Sequence, residues 1–432
     1  MPSLPPLPSC QSDHDAAALR VDQAQRLLAE AARPVGGVER VALRDALDRV
    51  LAEDVISPLD VPAHDNAAMD GYAFAGDALD RPEGASDGFV TLPVAGTALA
   101  GGSRGDAPLA PGQALRIMTG ALMPAGCDTV IPQELVEDAA DGHIRFSASA
   151  VVRGANRRLR GEDLARGRAA LAAGRLLRPV DLGLLASLGV AEVAVRRRLR
   201  VAFFSTGDEL RSIGEPLEPG CVYDSNRYTL HGMLRRLHVD LIDLGVVRDD
   251  PEALEATLRS ACEIADAVIT SGGVSVGEAD YTKQTMARLG DVQFWSIAMR
   301  PGRPMAFGRI ASGAHEALLF GLPGNPVAVM VTFYQMVRGA LLRMMGTDAP
   351  TPPHLRVRCA QAMRKKPGRT EFQRGVLAPA ADGGLEVRAT GQQGSGVLRS
   401  MSEANCFIVL AHEQGAVAAG DTVEVVLFDG LV

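Results

Sequence analysis

From Arg200 to Met345 the sequence repeats one pattern, a short apolar run, a polar loop and a helix-length periodic segment, and this restricts the fold more than any other feature. The spacing predicts strands at Val201–Phe204, Asp240–Val247 and Ala267–Thr270, with helices at Asn226–Leu237, Pro251–Ile264 and near Tyr281–Leu289. Such alternation implies parallel strands joined by crossover helices, an α/β fold. Further strands at Met305–Gly308 and Ala317–Phe320 lead into a long helix from about Asn325 to Met345.

The flanking segments follow other patterns. Asp15–Arg33 places Leu19, Val21, Ala24, Leu28 and Ala31 near helical period and stops before Pro34. From Ser57 to about Ile144, short runs such as Phe89–Val94 and Ala114–Met118 are punctuated by Gly and Pro, which reads as a β-rich insert. Pro179–Leu188 has the apolar spacing of a second helix, expected to pair with the first. Beyond Pro350, the pieces Leu355–Cys359, Phe372–Leu377, Leu385–Ala389, Phe407–Leu410 and Thr422–Leu427 are strand-like and none has helix length, so the tail reads as all-β.

Composition narrows the class. A chain of 432 residues is long enough for about three domains. With 47% apolar residues it can fill several cores. A net charge of −8 argues against general nucleic-acid binding, so any bound anion must meet a local basic cluster. The six cysteines are widely separated and no His stands at metal-ligand spacing, so neither a disulfide framework nor a zinc site is expected. The N-terminus is Pro-rich and lacks both a basic region and an apolar core, reading as disordered over 1–14 and not as a signal peptide. Pro326–Met345, the most apolar stretch, is interrupted by Gln335, Arg338 and Arg343 and is not expected to span a membrane. The expected location is the cytoplasm.

In open parallel sheets, ligands bind outside the carboxyl ends of the strands. Three consecutive strands here end in unusual polar loops: Ser205–Glu209, Arg248–Pro251 and Ser271–Asp280. Glycines in the third, Gly272 and Gly273, would let backbone N–H groups approach an anion, while the carboxylates would hold a hard cation such as Mg²⁺. Asp250-Pro251 also reads as an ordinary helix cap with Pro at the first turn, whereas Asp249 has no capping role. The glycine loop is neither a dinucleotide fingerprint nor a P-loop.

A second cluster is Arg300-Pro301-Gly302-Arg303-Pro304, whose two guanidinium groups suit an oxyanion. It also reads as a solvated turn, as does the arginine run Arg153–Arg168. Pro58–Ala73 combines stiff prolines with Asn66 and Asp70, as at a binding rim, and Gly321–Pro326 reads mainly as the start of the long helix.

These residues carry a resemblance over nearly the whole chain. Ser57–Ala73, Arg116–Ala121, Arg160–Asp163, Ser205–Leu210, Ser271–Tyr281, Arg300–Pro304, Gly321–Pro326, Pro367–Arg369 with Gln373–Gly375, and Thr390–Ser395 follow one another as in the molybdopterin molybdenumtransferase (MoeA) family, whose fold is shared by the gephyrin E domain. The resemblance implies a homodimer of four-part subunits: a discontinuous elongated domain (15–57 plus 161–198), a β-rich domain (58–160), a doubly wound, MogA-like α/β domain (199–348) and a C-terminal β-barrel (352–432). It also implies Mg²⁺-dependent hydrolysis of adenylylated molybdopterin, with insertion of molybdate into the dithiolene and release of AMP.

Carried over by resemblance, Asp249, Asp280 and Glu209 are catalytic, and Asp249, Glu278 and Asp280 are the metal ligands. Asp70, Thr119, Asp163, Ser271, Gly272, Gly273 and Ser275 would contact the substrate, and Arg300, Arg303, Arg374 and Ser395 the molybdate. Implied partners are the adenylyltransferase that supplies substrate and factors that assemble molybdoenzymes, with no nucleic acid and no membrane. The chain departs from the commoner pattern at Arg300 and Arg303, where many members have Lys, at Ser296, where some have another Lys, and at Glu278, where others have Asp. Two rival readings are a MogA-type adenylyltransferase, which lacks the flanking segments, and a non-enzymatic scaffold, for which the carboxylates would be dispensable.

Overall fold

The computed structural model describes residues 18–80, 88–102, 108–273, 280–347 and 352–429, with the backbone alone at 138–140 and 280–283. The expected disorder of 1–14 therefore lies outside the described residues.

The α/β alternation produces one six-stranded sheet. Its order is Asp240–Val247, Arg200–Thr206, Ala267–Ser271, His315–Leu322, Pro304–Ser312, Gly290–Ser296. The first four are parallel, as expected. Pro304–Ser312 runs antiparallel to both neighbours, and the edge strand Gly290–Ser296 is one that the sequence reading does not anticipate. The sheet is thus mixed.

Strand alternation sends side chains to two cores. Val201, Phe203, Ile269 and Phe320 join one cluster with Leu230 and Leu234 of the helix Ser225–Arg236 and much of the helix Pro326–Met344. Ala202, Phe204, Val268 and Leu319 join the other with Leu254 and Leu258 of the helix Pro251–Ile264. Successive crossover helices therefore cover opposite faces, and the chain reverses its winding beside the strand Arg200–Thr206. That reversal opens a crevice between the ends of Arg200–Thr206 and Ala267–Ser271, where such folds bind ligands.

Pro326–Met344 is long and apolar enough to cross a membrane, yet 67% of its most apolar window is buried in this fold. Its apolar surface is spent on the core, with a π turn at Phe333–Val337.

The first helix is Val21–Ala31, shorter than the Asp15–Arg33 reading in its described part. It does not pair with Pro179–Ser187. Ala24, Leu28 and Ala32 enter the α/β core, and Gln25 Nε2 donates to the Gln335 carbonyl of the long helix at 2.9 Å. Pro179–Ser187 packs instead on a separate small core with Leu51, Leu171, Leu177 and Val195. An amphipathic period says that a helix needs an apolar surface, not which one.

The β-rich insert is a six-stranded sheet in the order Thr129–Pro132, Gly71–Phe74, Ala114–Ile117, Phe89–Ala98, His143–Ser147, Glu137–Ala139. The tail closes into a five-stranded barrel: Thr370–Pro379, Leu385–Ala389, Leu355–Cys359, Thr422–Leu427 and Cys406–Leu410, whose last strand pairs back with the first. A short helix, Arg399–Glu403, interrupts the tail where only strands are expected. Met299–Arg300 adds parallel to Thr370–Glu371, so the arginine loop of the α/β domain is joined to the barrel.

Candidate functional site

The parallel registers Thr206↔Val247, Ser205↔Ser271 and Ser271↔Leu322 bring the strand ends level, so the loops that follow share one edge. They open on a cleft of about 1000 Å³ between this edge, the arginine loop and the barrel. Of the residues expected from sequence, Glu209, Asp249, Ser271, Gly272, Gly273, Arg300, Arg303 and Ser395 line it. Ser275 and Glu278, and the side chain of Asp280, lie outside the described residues.

Each wall has a local cause. Gly272 has φ +97, and a Cβ there would stand 2.4 Å from the Thr206 carbonyl oxygen, so the chain can turn this tightly only at glycine. Its N–H donates to the Leu322 carbonyl at 3.1 Å. On the neighbouring loop Thr206 Oγ1 donates to Asp249 Oδ1 at 2.5 Å, and the Asp249 N–H donates to Asp208 Oδ1 at 3.3 Å. The Glu209 carboxylate folds back against Gly207. Asp250 accepts from the Ala253 N–H at 2.8 Å, making it the helix cap.

Asp249 Oδ2 takes no hydrogen bond from the described protein, and its neighbours Thr206, Asp208 and Glu209 offer only oxygen. Such a set fits a hard cation of the Mg²⁺ type, which takes one or two carboxylates and completes its shell with water and phosphate. Among the described residues no three His, Cys, Asp or Glu side chains form a closed metal cage.

The opposite wall is basic. Arg303 Nε donates to Ser296 Oγ at 3.0 Å; Ser296 is 3% exposed, so the serine anchors this guanidinium. Arg300 lines the main cleft and also a smaller cavity of about 270 Å³, which it shares with Arg374. Arg374 does not line the main cleft. It is 1% exposed, donates from Nε to Ser400 Oγ at 3.0 Å and from Nη2 to the Gly394 carbonyl at 3.0 Å, and so supports the loop carrying Ser395. Burial, and then the charge of Arg300, pull its pKa down to about 10. No described carboxylate pairs with it, so its positive charge, near that of Arg300, is unneutralised and favours an anion. The Ser395 carbonyl accepts from the Val327 N–H at 3.0 Å, docking the barrel loop on the start of the long helix.

Asp70, Thr119 and Asp163 are not brought to this cleft. In the β-rich sheet region, Asp70 Oδ1 accepts from both the Thr119 N–H (2.7 Å) and its hydroxyl (2.6 Å), bonds that hold the Asp70 carboxyl below its ordinary pKa. The Asp163 N–H donates to the Val61 carbonyl at 3.1 Å.

Sequence reasoning passed over Asn226, which lines the cleft from the first turn of Ser225–Arg236. Asp224-Ser225-Asn226 reads as an ordinary helix start, and Asp224 does cap the helix by accepting from the Arg227 N–H at 3.1 Å. Gly368, Arg369, Gln393 and His412 also line the cleft from the barrel side.

A doubly wound domain whose strand-end glycine loop faces an arginine loop braced by a closed barrel defines a multidomain α/β protein with a composite cleft, acidic on one wall and basic on the other. Three family models match: the MoeA N-terminal region (domain I and II) at residues 19–189, a probable molybdopterin binding domain at 202–343, and the MoeA C-terminal region (domain IV) at 356–428. Molybdopterin molybdenumtransferase of Haemophilus influenzae is 43% identical over 96% of this chain and 100% of its own length. Molybdopterin molybdenumtransferase 2 of Mycobacterium tuberculosis is 36% identical over 94% and 98%. The crystal structure of the molybdopterin biosynthesis moeA protein from Pyrococcus horikoshii OT3 aligns with a TM-score of 0.79 at 27% identity, covering 95% of this chain and all of that one. The chain belongs to the molybdopterin molybdenumtransferase family, and it is an enzyme of the transferase class.

Proposed function

We propose that this protein inserts molybdenum into molybdopterin: it binds adenylylated molybdopterin in the cleft, hydrolyses the phosphoanhydride in a Mg²⁺-dependent step, and transfers molybdate to the dithiolene, releasing AMP. The observation that carries the reading is the single cavity in which Ser271–Gly273, Asp249 and Glu209 face Arg300, Arg303 and Ser395. A phosphate-bearing pterin and a free oxyanion are both anions, and each meets its own donor set there.

In this reading the Ser271–Gly273 turn holds the pterin phosphate, leaving the anhydride beside Asp249 and Glu209. Mg²⁺, when bound, supplies neutralisation of charge on the anhydride oxygens, held by Asp249 with Glu278 and Asp280. Thr206 orients Asp249 through its hydroxyl. Water adds to the anhydride phosphorus, the bridging P–O bond breaks, and AMP and the pterin phosphate separate. Arg300 and Arg303 hold molybdate beside the dithiolene, aided by the charge of the nearby Arg374. Two Mo–S bonds form as one molybdate oxygen leaves with the two thiol protons as water. Asp70, Thr119 and Asp163 remain proposed substrate contacts outside this cleft.

We further propose that the protein works in the cytoplasm as a homodimer that receives substrate from an adenylyltransferase and passes product to molybdoenzyme assembly factors. Sedimentation equilibrium at micromolar concentration checks the oligomer; a monomer contradicts it. The reaction is checked by following AMP release from adenylylated molybdopterin with and without Mg²⁺, for the parent protein and Asp249→Asn. Fast Mg²⁺-dependent release lost in the variant supports the reading, and no release by the parent overturns it.

A further inference from the structure

Ser271 ends its strand at the floor of the cleft, 1% exposed, and Asn226 lies against it, 7% exposed. Asn226 Nδ2 stands 2.8 Å from Ser271 Oγ and 2.7 Å from the Gly324 carbonyl oxygen. A carbonyl oxygen can only accept, so the amide atom facing Gly324 must be the NH₂ group. Its two protons are thereby assigned, one to Gly324 and one to Ser271. Ser271 Oγ is then the acceptor in its pair with Asn226, and its own proton must point elsewhere.

Among the described residues no protein acceptor receives the Ser271 proton. The amide oxygen of Asn226 is itself buried without a partner, so the side chain is held through its donor end alone. Leaving a buried amide oxygen unpaired costs free energy, and the arrangement persists because the other end joins two loops of the cleft. The cradle is thereby polarised before any ligand arrives.

We infer that Asn226 is a positioning residue that fixes the direction of the Ser271 hydroxyl, making it a donor aimed at an anionic oxygen of the pterin phosphate. The inference rests on the proposed reading of Ser271–Gly273 as the phosphate cradle. Exchange of the Asn226 amide for a carboxylate of the same shape would reverse the pair: the carboxylate accepts the Ser271 proton, withdrawing the donor from the cleft and adding negative charge beside it.

The test is equilibrium titration of molybdopterin against Ser271→Ala, Asn226→Ala, Asn226→Asp and the double variant Asn226→Ala/Ser271→Ala, with circular dichroism melts to compare folding. Ser271→Ala and Asn226→Ala should each weaken binding roughly tenfold, and Asn226→Asp, which preserves shape, by more. The double variant should bind within about threefold of Ser271→Ala, because Asn226 acts through Ser271. A double variant whose losses multiply, or an Asn226→Asp protein that binds like the parent while Ser271→Ala does not, overturns the positioning role alone. Unchanged binding by Ser271→Ala instead overturns the phosphate-cradle reading on which it stands.

Discussion

The hydroxyl of Thr206 and the carboxylate of Asp249 meet across 2.5 Å, tying the ends of two adjacent parallel strands at the rim of the cleft. Asp249 reaches this position because Thr206↔Val247 are register partners, two residues before the carboxylate. The remaining Asp249 oxygen is left for a ligand or cation.

Thr206→Val removes the donor while keeping the shape. A hydrogen bond to a charged group contributes about 1.5–3 kcal/mol, and the exposed rim places Asp249 at the low end. AMP release should slow about tenfold with little change in KM, and Thr206→Ser should restore it. Equal rates for the Val variant would remove Thr206 from the mechanism.

The Asp70–Thr119 pair sets an acid dependence. Its hydrogen bonds lower the folded-state pKa of Asp70 below the ordinary 3.8. The stabilisation is therefore fully present above 3.8 and is lost as pH falls through the folded-state value. Thr119→Ala should destabilise the protein by the same amount from pH 5 to 7, and the gap from the parent should close below pH 3.8; denaturant melts across this range read it directly.

Arg300→Ala should weaken molybdate binding roughly ten- to a hundredfold, from loss of one charge-assisted contact of about 1.5–3 kcal/mol, while adenylylated molybdopterin binding falls much less. Arg374→Ala should weaken molybdate binding too, and it should also lower the melting temperature because the Gly394 carbonyl and Ser400 hydroxyl lose their donor. Calorimetric titration of both ligands separates the two effects. Equal losses for pterin and molybdate in Arg300→Ala would assign this arginine to the substrate phosphate.

The periodic parts of the chain were legible because period maps directly onto burial. Phe203 and Phe204 point to opposite cores, as strand alternation requires, and the glycine loop falls where an open α/β sheet places ligands. Gly290–Ser296 was not legible: it follows the helix ending at Leu289 without a linker, and its antiparallel pairing depends on Pro304–Ser312 rather than on its own residues. Arg374, expected at the molybdate by resemblance, lies instead beside the smaller cavity, because strand sequence does not reveal that both faces of Glu371–Gly375 are buried at the barrel joint. Asn226 was hidden inside an ordinary helix start, since only folding brings Ser271 and Gly324 to its amide.

In the proposed reaction, one cleft couples anhydride cleavage to molybdenum insertion. This coupling is tested most directly by a single-turnover experiment that counts AMP released and molybdenum retained on the pterin dithiolene, with adenylylated molybdopterin, Mg²⁺ and molybdate supplied. The two counts should match for the parent protein, and Arg300→Ala should lower molybdenum retained at subsaturating molybdate. AMP release with no molybdenum retained by the parent, at any molybdate concentration, would contradict the coupling.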